Sequence, residues 1–243
     1  MSASGYDPVL RQAESFLFPE YWSPKAPPAD LYIMRCVLPH IPDPWAFLQL
    51  IAESSTRSLV LIEFQRLEWI IENDIWFQIG HGHCNYFTAV DFECRYNVIN
   101  QGQFSNGEWG WVLIDPASFH APVSRECLIA SDLDALLSIR ERTLHLAAKN
   151  SGPLAIWGGA GKGAILGHAL QTSLTGVVAA VDAHPNRWGR FLESSGIPLI
   201  SPESALHEFD QSTTVLVCNP NHLEDVRNYV GEGFNVFLPA ELI

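Results

Sequence analysis

Charge is scarce in this chain, and positive charge scarcer still. Only 17% of the 243 residues are charged, and 27 acids against 14 Lys and Arg leave a net charge of −13. Such an acidic chain is repelled by phosphate backbones and anionic lipid, which excludes nucleic acid and the membrane surface as unaided partners. No apolar run approaches the roughly 20 residues of a membrane-spanning helix, and the opening MSASGYDPVLRQAESF has no basic stretch followed by an apolar one. The cysteines, Cys36, Cys84, Cys94, Cys127 and Cys218, are odd in number, far apart and without a C-x-x-C pair. That pattern excludes a disulfide framework and a cysteine zinc site, and the reducing cytoplasm is the expected compartment. There is no G-x-S-x-G elbow, so a serine hydrolase is not supported. Repeats and low-complexity tracts are absent as well.

Apolar residues are abundant: 47% hydrophobic and 11% aromatic, enough for a packed core. The length fits one large domain or two modest ones. From residue 151 onward, short uncharged runs alternate with helical segments, the pattern of an open parallel sheet covered on both faces. Strands are expected at Leu154–Trp157, Val177–Asp182, Ile197–Ile200, Thr213–Cys218 and Phe234–Leu238, with Ser201 and Asn221 as helix caps. Upstream, the spacing of Leu133, Leu136, Leu137, Leu144 and Ala147 predicts a connecting helix over 131–150. Before it, strands are expected at Asp30–Arg35 and Ser58–Phe64, helices at Trp45–Glu53 and Ala89–Tyr96, and a hairpin over Asn97–Asp115 that turns at Ser105-Asn106-Gly107. The region between the second strand and the second helix reads as a long loop.

Several segments carry a resemblance. Arg35-Cys36-Val37-Leu38-Pro39-His40-Ile41-Pro42-Asp43-Pro44-Trp45-Ala46-Phe47-Leu48 is similar to the segment after the fourth strand of class I S-adenosylmethionine-dependent methyltransferases, and the hairpin fits the end of the same fold. His83-Cys84-Asn85-Tyr86-Phe87-Thr88, Trp157-Gly158-Gly159-Ala160-Gly161-Lys162-Gly163, Val181-Asp182 and Asn219-Pro220-Asn221 resemble the bacterial C-methyltransferases that act on nucleotide-linked deoxysugars. The resemblance spans about residues 25–240 and implies an α/β chain of two Rossmann-like units. The first is an incomplete class I methyltransferase sheet ending in an antiparallel hairpin (1–130). A connecting helix (131–150) and an open parallel sheet (151–243) follow. The family's cysteine-rich zinc module, cofactor glycine loop and ribose-binding acid have no counterpart before Asp30. An incomplete sheet would expose its first strand, which predicts a homo-oligomer or a partner chain.

The resemblance implies S-adenosylmethionine as cofactor and C-methylation of a nucleotide-linked keto-sugar or similar small polar metabolite. The alternatives are a non-catalytic or partner-dependent relative and, third, an NAD(P)-dependent oxidoreductase. The family's Y-H-E-H reacting segment falls on Gly80, His81, Gly82 and His83, so Tyr and Glu are replaced while His83 and His81 remain as candidate catalytic residues. A histidine titrating near neutrality suits removal of a proton beside a ketone. His81, His83 and Cys84 could also ligate a metal, but no distal ligand pair accompanies them and no metal is expected. A histidine turn packed on Phe77 and Tyr86 is the structural alternative. His40 falls on a family histidine near the sugar pocket. The glycine turn 158–163, with Asp182 19 residues beyond Gly163, invites a dinucleotide reading, although Ala160 replaces its middle glycine. Lys162 at the helix start and Asn221 on the loop after the fourth C-terminal strand are the candidate contacts to a nucleotide sugar.

Overall fold

Apolar Val60, Ile62 and Phe64 alternate with residues of the opposite face, a period of two that commits 59–65 to a strand buried on one side. The computed structural model describes residues 3–9, 14–55, 57–80, 82–121, 130–173 and 176–242. The elements are β1 (Gly5–Tyr6), β2 (Leu17–Phe18), β3 (Leu31–Arg35), α1 (Pro44–Ser54), β4 (Leu59–Gln65), α2 (Leu67–Glu72), α3 (Ala89–Glu93), β5 (Val98–Phe104), β6 (Trp109–Ile114) and α4 (Ala130–Lys149), then β7 (Leu154–Trp157), α5 (Lys162–Ser173), β8 (Val177–Val181), β9 (Leu199–Ile200), α6 (Pro202–Glu208), β10 (Thr214–Val217), α7 (Leu223–Val230) and β11 (Asn235–Phe237). The chain is α/β, with a five-stranded parallel sheet, a four-stranded mixed sheet and a two-stranded parallel pair β1-β2, consistent with two Rossmann-like units. No described helix is long and apolar enough to cross a membrane.

Contacts divide the chain into two compact units that are not consecutive stretches. Unit 1 comprises 1–64, 89–102 and 110–125; unit 2 comprises 65–88, 103–109 and 126–243.

Unit 1 is built on a sheet of order β3-β4-β6-β5, with β3 and β4 parallel. The four residues between β5 and β6 are too few for a parallel crossover, so this pair is an antiparallel hairpin. The turn of this hairpin, which is counted with unit 2, holds Ser105 and Asn106 at φ 51° each and Gly107 at φ 81°, left-handed conformations that suit Asn and Gly. Asp43 caps α1 by accepting from the Ala46 N–H at 3.0 Å, with Pro44 at the first helical position, where a missing N–H costs nothing. Leu48 and Ile51 of α1, Phe92 of α3, and Val60, Ile62, Val112 and Ile114 of the sheet are fully buried. Phe92 packs on Phe64 at 5.2 Å and on Trp45 at 5.6 Å between ring centres. At full burial each such side chain contributes about 1.5–3 kcal/mol.

Unit 2 carries the parallel sheet, order β11-β10-β7-β8-β9. Alternate residues of its central strands feed two cores: Leu154, Ile156 and Leu216 face α5 through Leu166, Ala169 and Leu170, while Ala155, Val215 and Val217 face Ala205 of α6 and Val226 and Val230 of α7. Both faces are covered, which is why these strands are uncharged.

Two expectations need correction. Residues 67–72 form α2, not loop: Trp69 and Ile70 are buried, and Glu68 in the first turn favours a helix start. Asn221 is not the cap of α7. Asn219 accepts from the Asn221 N–H and caps the short 3-10 turn Pro220–His222, and α7 begins after His222 with no side-chain cap. Asn219 and Asn221, either side of Pro220, offer the same signal, and the proline decides between them because it fits just after the cap.

Candidate functional site

In unit 2 the chain runs from β7 to β8 and β9 on one side, then to β10 and β11 on the other. The loops leaving β7 and β10 therefore diverge, and open α/β sheets hold ligands in that crevice, beyond the carboxyl ends of the strands. The loop after β7 is 158–161, leading into Lys162; the loop after β10 is 218–221.

Glu108, from the segment 103–109 of the same unit, projects into this crevice and is only 6% exposed. Its carboxylate is saturated with donors. Oε1 accepts from Lys162 Nζ at 2.7 Å and from Gln65 Nε2 at 3.2 Å. Oε2 accepts from Asn219 Nδ2 at 3.1 Å and from Asn221 Nδ2 at 3.2 Å. Asn221 also donates to the Ser105 carbonyl at 2.9 Å, and the Lys162 ammonium stands 5.0 Å from the centre of the Trp69 ring. A carboxylate removed from water requires this compensation, and the pair is neutral in sum. One polar atom is left over: Gln65 Oε1 is buried with no hydrogen-bond partner in the structure.

The expected contacts Lys162 and Asn221 are thus brought together on Glu108. Glu108 and Gln65 escaped sequence reasoning. They stand 54 and 97 residues from Lys162, so no local spacing joins them, and a glutamate following Asn-Gly reads as a solvated turn. The one available signal was the isolated Gln65 at the end of an apolar strand.

The glycine turn has structural reasons. Gly158 adopts φ +119°, which side chains rarely tolerate. A Cβ on Gly163 would collide with the Gly158 carbonyl, and one on Gly159 would meet Leu199 and Asp182. Asp182, the acid expected for a ribose, is buried and engaged through both oxygens: Oδ1 accepts from the His184 N–H at 2.7 Å and Oδ2 from Arg187 Nη1 at 2.8 Å. These residues do not fit a dinucleotide.

His83 is half-buried in unit 2, with its ring edge-to-face on Tyr86 at 5.5 Å and its N–H 3.4 Å from the Gly80 carbonyl. Tyr86 Oη accepts from the Gly80 N–H at 2.9 Å, and burial raises the phenol above its ordinary pKa. The segment is anchored to α5 at Gly80, where a Cβ would collide with Ile165. His81 lies outside the described residues. His40 belongs to unit 1, exposed at the end of the turn Leu38–His40 that follows β3. Cys36 sits before that turn at φ +54°, and burial, then the charge of Glu63, raises its thiol pKa. No cluster of three metal-ligating side chains occurs among the described residues.

No protein-family model matches the sequence, and no curated protein does.

Proposed function

We propose that the chain is a relative of the sugar C-methyltransferases that binds a nucleotide-linked keto-sugar or similar small polar metabolite without itself carrying a methyl-donor site. The observation that carries the reading is the crevice at β7 and β10. It gathers Lys162, Asn219 and Asn221, whose donors are bonded to Glu108 and would have to be shared with a ligand, around one acceptor without a partner, Gln65 Oε1, within one neutral cluster. Alternating donors and acceptors suit the hydroxyl and carbonyl groups of a sugar. They do not suit a diphosphate alone, which would face the Glu108 carboxylate that already holds the lysine. A hydroxyl donated to Gln65 Oε1 would satisfy a buried acceptor that this cluster leaves without a bond.

Calorimetric titration tests this, with a nucleoside diphosphate sugar, the same nucleoside diphosphate without sugar, and S-adenosylhomocysteine as probes. The expected result is binding of the sugar nucleotide, at least tenfold weaker binding of the diphosphate, and no heat from S-adenosylhomocysteine. Equal affinity for the two nucleotides would overturn the sugar reading; binding of S-adenosylhomocysteine would restore a donor site to this chain.

A second reading, C-methylation of the bound keto-sugar with the donor site on another chain, draws support from the strand order β3-β4-β6-β5. A hairpin folded back so that its second strand lies inside is the sheet end that the methyltransferase resemblance implies. On this reading His83 is the candidate base, and His83→Ala should abolish product formation in the presence of the partner while leaving the fold intact.

A further inference from the structure

Strand β3 is an edge of its sheet, with one side unpaired among the described residues. The Leu59 N–H donates to the Asp30 carbonyl and the Cys36 N–H to the Glu63 carbonyl, at 2.9 and 3.0 Å. In the parallel register Leu31↔Leu59 to Arg35↔Glu63, these two bonds fix the phase of the ladder. Asp30, Tyr32, Met34 and Cys36 direct their backbone groups to β4, so Leu31, Ile33 and Arg35 direct theirs outward. Among the described residues no strand meets them. The same three residues expose their side chains, Leu31 at 45% and Ile33 at 59%, beside half-buried Leu59 and Leu61 on the same face.

Isolated proteins guard such edges with proline, bulges or lysine. β3 has none of these: its register is regular, and its one cation, Arg35, is paired with Glu63 at 2.8 Å. The strand is also compatible with itself. Arg35 is the one cation on the exposed face, so antiparallel copies set it beside Leu31 and keep the two guanidinium groups at opposite ends, whereas parallel copies in register would set Arg35 beside Arg35. The outward residues are spaced evenly about Ile33, so a two-fold axis there closes the contact with the same patch on both sides.

We propose that β3 pairs antiparallel with β3 of a second copy of this chain, about a two-fold axis at Ile33. Ile33 then exchanges both backbone hydrogen bonds with Ile33 of the second copy, and Leu31 does so with Arg35 of the second copy and the reverse. The apolar face of Leu31, Ile33, Leu59 and Leu61 is doubled across the axis, and the two sheets become one.

Sedimentation equilibrium of the full chain from about 1 to about 200 µM tests the association. The expected result is a rise from monomer to dimer mass, with dimerisation weakened at least about tenfold in both Ile33→Lys, which sets two ammonium groups at the axis, and Ile33→Pro, which removes an N–H the monomer does not use. Circular dichroism of each variant separates lost pairing from lost fold. Hydrogen exchange gives a readout specific to the register: amides of Leu31, Ile33 and Arg35 should gain protection as concentration rises, while Tyr32 and Met34 stay protected throughout. A monomer at every concentration would overturn the proposal and leave the edge to a different chain. So would a dimer whose odd-numbered β3 amides exchange at the same rate at all concentrations, because its interface would lie elsewhere. Neither readout involves a ligand, so failure here is distinct from failure of the sugar-binding reading.

Discussion

Replacing Lys162 by Met removes one charge from a cluster built around another. Glu108 would keep three amide donors, Gln65, Asn219 and Asn221, at 3.1–3.2 Å, but lose the ammonium at 2.7 Å. Breaking a buried ion pair from one side costs about 3–5 kcal/mol. Here the lysine side chain is 16% exposed and the glutamate 7%, and three amides remain, so the low end applies: about 3 kcal/mol, including about 0.5–1 kcal/mol for the cation above Trp69. Glu108→Gln alone leaves the ammonium facing an amide and costs about 2 kcal/mol. The double variant holds no stranded charge, and its deficit should fall short of the summed single deficits by about 2 kcal/mol. Urea denaturation at pH 7, followed by tryptophan fluorescence, measures all four proteins, and Trp69 places a reporter beside the substitution. A loss below about 0.5 kcal/mol for Lys162→Met, as for an exposed pair, would refute the view that the crevice is organised by a desolvated pair. Strict additivity would do the same.

Gly163→Ala should yield little folded protein, because its methyl collides with the rigid Gly158 carbonyl; a melting temperature within a few degrees of wild type would show that the turn can open. Burial pushes the Cys218 thiol up to about 12, above its unfolded value near 9. The folded state therefore holds a proton that the unfolded state releases: the contribution is complete below about pH 9 and declines toward pH 12, by up to about 1.4 kcal/mol per pH unit. Cys218→Ala should flatten that decline in denaturant midpoints measured from pH 8 to 11, and an unchanged slope would assign it to other groups. With an exposed thiol at Cys84 and buried ones at Cys94 and Cys218, a thiol reagent at neutral pH should label Cys84 rapidly and the other two only on unfolding, as peptide mapping would reveal. Arg187→Ala leaves the Asp182 carboxylate with the His184 N–H alone among its side-chain bonds and should cost about 1–2 kcal/mol in the same urea assay.

Much of the scaffold is written in local patterns. LVLIEFQ and TVLV read as strands because their periodicity or apolar continuity survives without tertiary context, and Ser201-Pro202 announces a helix start that forms where expected. Helix α2 was hidden because LEWIIE, six residues rich in β-branched and aromatic side chains, has too few turns to display a helical period. The site was legible in half. Lys162 and Asn221 sit at loop positions that any open parallel sheet singles out, whereas Glu108 and Gln65 join them only through tertiary folding. Asp182 shows the converse: its spacing from the glycine turn suits a ribose, yet Arg187, five residues on, claims it.

The interleaved course of the chain bears on how the molecule is made and how it could have arisen. Five times the backbone passes from one unit to the other, after residues 64, 88, 102, 109 and 125. On a ribosome, residues 65–88 and 103–109 emerge before the parallel sheet they belong with has been synthesised, so Trp69, Ile70 and Phe77 wait exposed until α5 follows them. End-to-end joining of two finished genes cannot produce such a path, and no single peptide-bond cleavage returns two intact halves. Fragments ending at residue 125 or starting at 126 should aggregate when expressed alone and recover solubility when produced together.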